Sequence, residues 1–230
     1  LEQIWDYPKY GTPFKKGGNY FFFKNDGMQN QSVMYIQSAL DAEPEVLIDP
    51  NTFSEDGTVA LAGLEFDKDG KYMAYSISKS GSDWSEIFVM EVATRNKLDD
   101  HLEWVKFSGM SWKDDGFFYS RYDAPKEGDA LKAKNEYHKV YFHKLGTTQD
   151  KVLLIHKNDD QPLRNYYAGT TEDESYMVLV ESDAGSKGNA LYVKKLDGAK
   201  NDFIPIVDHF LHNCSIISKT PAVFVFLQQN

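Results

Sequence analysis

A single cysteine, Cys214, stands in the 230 residues, so no intrachain disulfide framework can form and no zinc site built mainly on thiolates is available. Long apolar runs are missing as well: nothing approaches the roughly 18 consecutive apolar residues of a membrane-spanning helix. No basic segment followed by an apolar run opens the sequence, so no secretory leader is read there. The expected compartment is the cytoplasm, with the periplasm as the alternative. Positive charge is in the minority, with 25 Lys and Arg against 35 Asp and Glu and a formal charge of −10. Phosphate binding needs clustered cations that release counterions, so neither nucleic acid nor a membrane is an expected partner.

The signatures of common chemistries are also lacking. No G-x-S-x-G turn exposes a nucleophilic serine. Ser111, in Gly109-Met110-Ser111-Trp112-Lys113, fails at the last position, and Ser80 and Ser82 sit in a turn without an orienting histidine in evidence. The six histidines, His101, His138, His143, His156, His209 and His212, include no H-E-x-x-H; only His209 and His212 are three apart, a spacing that would share a face only on a helix. Neither G-x-G-x-x-G nor G-x-x-x-x-G-K-[ST] occurs, so no phosphate-cradling loop is read. Asp67-x-Asp69-Gly70 and Asp114-Asp115-Gly116 lack the remaining ligand positions of an EF-hand loop and read as turns. Catalytic residues, metal ligands and cofactors are therefore all expected to be none.

What is plentiful is material for a core, 41% hydrophobic and 14% aromatic. It is arranged as short apolar or alternating runs bounded by Gly, Asp, Asn and Ser, with almost no helical periodicity, which predicts an all-β fold. Residues 71–77 and 87–92 read as strands joined through Ser80-Gly81-Ser82-Asp83. In the second, Phe88, Met90 and Val92 face one way and Ile87 and Val89 the other, so both faces are apolar and both must be covered. Sheets stacked against neighbours on either side meet that demand, and this is the burial logic of a β-propeller. A repeat supports it. Gly63-Leu64-Glu65-Phe66-Asp67-Lys68-Asp69-Gly70 returns as Gly109-Met110-Ser111-Trp112-Lys113-Asp114-Asp115-Gly116, placing Phe66 and Trp112 46 residues apart. Weaker echoes at Phe14, Thr170 and Ser218 give intervals of 52, 46, 58 and 48 residues along the series, close to the roughly 40–50 of a four-stranded blade. The expected domain is a single partial propeller over residues 1–230, with blades near 12–52, 62–107, 108–156 and 165–208 and the start of a fifth at 214–230. The longest interval holds a polar, turn-rich insertion at 123–129. A start at Leu1 and a strand-like run at 222–227 that wants a partner read as cut ends.

The residues then carry a family likeness. Tyr7-Pro8-Lys9-Tyr10, Pro13-Phe14-Lys15-Lys16-Gly17, Gln29-Asn30-Gln31-Ser32-Val33-Met34-Tyr35, Leu47-Ile48-Asp49-Pro50-Asn51, Asp56-Gly57-Thr58-Val59-Ala60-Leu61, Ser80-Gly81-Ser82-Asp83-Trp84 and Val105-Lys106-Phe107-Ser108 follow in the order found in prolyl oligopeptidase propellers. Asn135-Glu136-Tyr137-His138-Lys139-Val140-Tyr141-Phe142-His143-Lys144-Leu145-Gly146-Thr147 resembles the same family's third blade. The likeness is collinear from about residue 5 to about 227.

The resemblance implies a seven-bladed propeller, here incomplete, that caps an α/β-hydrolase domain whose Ser-Asp-His triad faces the propeller tunnel; none of that triad lies in this stretch. It implies a serine endopeptidase acting on short peptides after proline, with this portion gating access. Partners implied are the hydrolase domain of the same parent chain and short proline-containing peptides. An unclosed ring would also expose blade faces and edges, favouring self-association. The alternative is a free-standing propeller that binds peptides or proteins. Phe107 matches a phenylalanine that in similar enzymes lines the outer substrate subsites, and is the one expected substrate-binding residue; a buried blade aromatic is the competing expectation. Ala62 stands where mammalian relatives carry an arginine, and a second arginine and a cysteine near Ser182 and Gly185 are absent. Trp84, Trp112, Tyr166-Tyr167 and Phe21-Phe22-Phe23 are expected to pack between sheets.

Overall fold

Alternation of apolar residues on both faces produces strands and almost nothing else. The computed structural model describes residues 6–79, 81–126, 128–129, 134–197, 202–219 and 224–229, leaving aside the side chains of 217–219, 224–226 and 228–229. It forms two compact units that meet at residues 102 and 103. The first begins with β1 (Lys9–Tyr10), β2 (Phe14–Lys16), β3 (Asn19–Asn25), β4 (Val33–Gln37) and β5 (Glu45–Ile48), in which β1 and β2 both pair with β3. It continues through β6 (Val59–Phe66), β7 (Tyr72–Lys79) and β8 (Ser85–Glu91), and its last strand is the first part of β9 (Lys97–Lys113). The second unit holds the rest of β9, then β10 (Gly116–Arg121), β11 (Lys139–Lys144) and β12 (Leu153–His156). A four-stranded meander follows, β13 (Asn165–Thr170), β14 (Tyr176–Ser182), β15 (Asn189–Lys195) and β16 (Ile204–Val207), and then the hairpin β17 (Asn213–Lys219) with β18 (Phe224–Gln229). Every strand pair with a defined register is antiparallel. The terminal run expected at 222–227 is observed as β18, with residues 222 and 223 outside the described part.

The sequence repeat marks one structural position. Phe14, Phe66, Trp112, Thr170 and Ser218 each lie near the end of a strand and pair across the following turn, with Phe21, Met73, Phe117, Met177 and Val225 respectively. Phe66 and Trp112 are both buried. Asp67, which follows Phe66, acts as predicted: its carboxylate accepts the Tyr72 amide at 2.9 Å, and the Gly70 amide donates to its carbonyl at 3.2 Å. In the first unit two such turns touch. A Cβ on Gly17, whose φ is +52°, would lie 1.8 Å from the Asp69 carbonyl oxygen, so only glycine fits that approach.

Both faces of β8 are covered, with Ile87, Phe88, Val89 and Met90 all buried. In the first unit Phe21, Met34, Ile36, Leu47 and Ile48 of one sheet form a single core with Phe66, Met73, Tyr75, Phe88 and Met90 of the next. In the second, Phe118 and Val140 pack against Tyr166, Met177 and Leu179, and Leu191 and Val207 pack with Cys214. Trp112 packs 5.2 Å from the Phe117 ring and Tyr166 and Phe21 are buried, while Trp84 and Tyr167 are half-buried.

Polar side chains bind neighbouring sheets at recurring places. Gln31, just before β4, donates from Nε2 to the Val59 carbonyl at 2.9 Å and accepts from the Leu61 amide at Oε1 at 3.0 Å. Asn189, opening β15, accepts from the Cys214 amide at 2.8 Å and donates to its carbonyl at 3.0 Å. Each amide therefore pairs with the first strand of the following sheet as a short strand would.

Candidate functional site

Among the described residues, the longest break in strand register falls on the one residue expected to meet substrate. On β9 and β10, Tyr119 pairs with Met110 and Arg121 pairs with Val105, so residues 106–109 bulge opposite Ser120 alone. One side chain and one backbone bond stitch the gap. Ser108 Oγ accepts the Ser120 amide at 2.7 Å and donates to the Gly109 carbonyl at 2.6 Å, and the Tyr122 amide donates to the Trp104 carbonyl at 3.2 Å. Trp104 and Phe107 both adopt left-handed φ, +61° and +52°, at a cost of about 1–2 kcal/mol each for an L-residue with a Cβ. Phe107 is 45% exposed in this chain. The Lys106 ammonium lies 5.3 Å from the centre of its ring, close enough for cation–π attraction.

His138 anchors this bulge. Its Nε2 lies 2.9 Å from the Lys106 carbonyl oxygen, and its Nδ1 lies 2.9 Å from the Tyr166 amide nitrogen. A carbonyl only accepts and an amide N–H only donates, so the imidazole must be neutral with its proton on Nε2. Burial, which outweighs the favourable bond to the Lys106 carbonyl, pushes its pKa down to about 4. The Tyr122 ring lies 4.6 Å from the imidazole, its hydroxyl donates to Asn165 Oδ1 at 2.6 Å, and burial pushes that phenol up to about 12. His138 and Tyr122 are thus both neutral at ordinary pH.

The other residues singled out in the sequence serve structure. Ser111 Oγ lies 2.9 Å from Thr170 Oγ1 and accepts the Thr170 amide at 2.9 Å, joining two sheets. Ser82 Oγ accepts the Trp84 amide at 3.1 Å, and Ser80 lies outside the described residues. His209 and His212 lie in the bend between β16 and β17 and not on a helix. His101 stacks on Phe88 at 4.6 Å and bonds Glu86 at 2.7 Å, while His143 is fully buried beside Phe117. His156 packs 4.6 Å from the Tyr166 ring, and burial lowers its pKa. Among the described residues no three His, Cys, Asp or Glu side chains gather closely enough to hold a metal. Buried Glu181 accepts from Arg164 at 2.8 Å, Tyr166 at 3.2 Å and Tyr192 at 3.0 Å, a satisfied structural carboxylate. In the first unit a cavity of about 320 Å³ is bordered by Ile36, Lys71 and Arg95, where Arg95 is spent on Glu45 at 2.7 Å and on two backbone carbonyls.

A family model described as the prolyl oligopeptidase N-terminal beta-propeller domain matches residues 1–230. The chain belongs to that family. It is 48% identical over 218 residues to a prolyl endopeptidase of Elizabethkingia miricola, covering 94% of this chain and 30% of that protein. It is 49% identical over 217 residues to a prolyl endopeptidase of Elizabethkingia meningoseptica, again covering 94% and 30%. Prolyl oligopeptidase B from Galerina marginata, solved with a 35mer hydrolysis and macrocyclization substrate, superposes with a TM-score of 0.89 at 28% identity, covering 97% of this chain and 34% of that one. The chain therefore spans about a third or less of the length of these relatives. As a prolyl oligopeptidase propeller portion its all-β, antiparallel, incomplete-propeller fold class stands as expected. The roles of Gln31, His138 and Asn189 were not foreseen. A signal for them exists, since each side chain precedes a tyrosine of the same sheet by three or four residues, Tyr35, Tyr141 and Tyr192.

Proposed function

We propose that this chain is the substrate-gating propeller portion of a serine endopeptidase that hydrolyses short peptides after proline. The observation that carries the reading is the propeller family match over residues 1–230, together with near-half identity to proteins named prolyl endopeptidase. Nucleophilic attack, base catalysis and oxyanion stabilisation belong to an α/β-hydrolase domain of the same parent chain, which is the propeller's partner. Phe107 offers an aromatic wall to the outer residues of a bound peptide. Its support is the combination of exposure and left-handed backbone, since a protein retains such strain where the surroundings enforce it. The four-stranded meander β13–β16 is one blade of that propeller.

The test compares this chain with its parent on a chromogenic peptide carrying proline before the scissile bond. The parent is expected to release the chromophore and to be silenced by a serine-reactive inhibitor, and the 230-residue chain to be inert. Robust turnover by the chain alone would overturn the assignment. Absence of turnover by the parent would leave only a peptide-binding propeller.

A further inference from the structure

Three side chains occupy one structural position, immediately before or at the start of the strand followed by Tyr35, Tyr141 or Tyr192: Gln31, His138 and Asn189. Gln31 and Asn189 each use both hydrogen bonds on the first strand of the next sheet, at Val59 and Leu61 and at Cys214. His138 makes only one there, accepting the Tyr166 amide, and turns the other back onto Lys106, the residue before Phe107. The imidazole thus ties the backbone at the root of the bulge to a neighbouring sheet that is itself packed.

We infer that His138 is a positioning residue for the outer peptide subsite, fixing through the Lys106 carbonyl the left-handed backbone that presents Phe107. This rests on the reading of Phe107 as substrate-facing. The stitch through Ser108 links residues of β9 and β10, whereas His138 connects the Lys106 carbonyl to β13. A glutamine can reproduce both bonds, donating from Nε2 and accepting at Oε1 as Gln31 does. Alanine can make neither.

The experiment uses the full-length parent enzyme and two chromogenic proline peptides, one beginning at the residue before proline and one extended by two further residues on its amino side. For wild type, Phe107→Ala, His138→Ala, His138→Gln and the Phe107→Ala/His138→Ala pair, kcat and KM are measured on both. Phe107→Ala is expected to raise KM for the extended peptide about tenfold more than for the short one, the loss falling on KM rather than kcat. His138→Ala should do the same, the pair should be no worse than either single change, and His138→Gln should restore most of the loss. If Phe107→Ala leaves the advantage of the extended peptide intact, the substrate-facing reading itself fails. If Phe107→Ala removes that advantage while His138→Ala preserves it, or if the two losses multiply, the positioning role is overturned. Should His138→Ala not fold, imidazole nitrogen NMR on the wild type decides: the neutral Nε2–H form supports the assignment, and an Nδ1–H form or a cation at neutral pH refutes it.

Discussion

Acidification should loosen the bulge through one identifiable proton. Protonating His138 turns Nδ1 from an acceptor into a donor aimed at the Tyr166 amide, which is also a donor, 2.9 Å away. The folded state holds this imidazole near pH 4 against an ordinary 6.5. Between those values the unfolded chain binds the proton and the folded chain does not, so stability is fully present above the ordinary value and is lost as pH falls through the window. At about pH 4.5 the loss relative to about pH 7 amounts to roughly 2–3 kcal/mol, at about 1.4 kcal/mol for each pH unit separating the two states. His138→Gln keeps the bonding pattern without the titration, so the informative quantity is the stability difference between wild type and variant. Urea unfolding at several pH values in this range should show that difference moving in favour of glutamine by roughly 2–3 kcal/mol on acidification. His156, whose pKa burial also lowers, contributes to both proteins and cancels. A difference that stays constant across the window would refute the burial and tautomer argued for His138.

Phe107→Gly should leave the melting temperature unchanged or slightly raised, because relief of about 1–2 kcal/mol of left-handed strain offsets the lost ring contact; a drop of more than a few degrees would show that the ring supports the fold. Gly116→Ala should cost roughly 2–3 kcal/mol, since the new methyl would lie 2.2 Å from the His143 carbonyl oxygen and 2.6 Å from the Phe142 ring. Gly109→Ala, with nothing within 4 Å, is the matched control and should be near neutral by the same thermal or denaturant measurement. Gln31→Ala should cost about 2 kcal/mol in urea unfolding, because the Val59 carbonyl and the Leu61 amide lose their partner together.

Much of the fold was readable because the signals were local. Residues 87–92 announce a strand covered on both sides, since neither face could be left to water, and Phe88, Met90, Ile87 and Val89 are all buried. The Asp67 turn was legible because aspartate and glycine carry their own turn chemistry. The bulge at 106–109 was not. Val105, Lys106 and Phe107 have the composition of an ordinary strand, and no propensity asks a phenylalanine to take a φ of +52°. What imposes that conformation arrives from His138, thirty-odd residues along the chain, and from Tyr166 beyond it. Likeness to a known family pointed to Phe107, but the ring's exposure and the device that holds it belong to tertiary structure.

Three of the outermost strands carry one further property. β5, β12 and β16 are each four residues long. Each pairs with its inner neighbour through a slip in register, and the slip falls at Met34/Tyr35, Val140/Tyr141 and Leu191/Tyr192. A passing chain that tried to add itself as another strand would find a short, broken line of amides and carbonyls and could not keep step with it beyond a few bonds. The exposed Leu153, Leu154 and Ile204 on these strands are therefore less of an aggregation hazard than their hydrophobicity suggests. Straightening any one of the three slips should make that sheet edge adhesive.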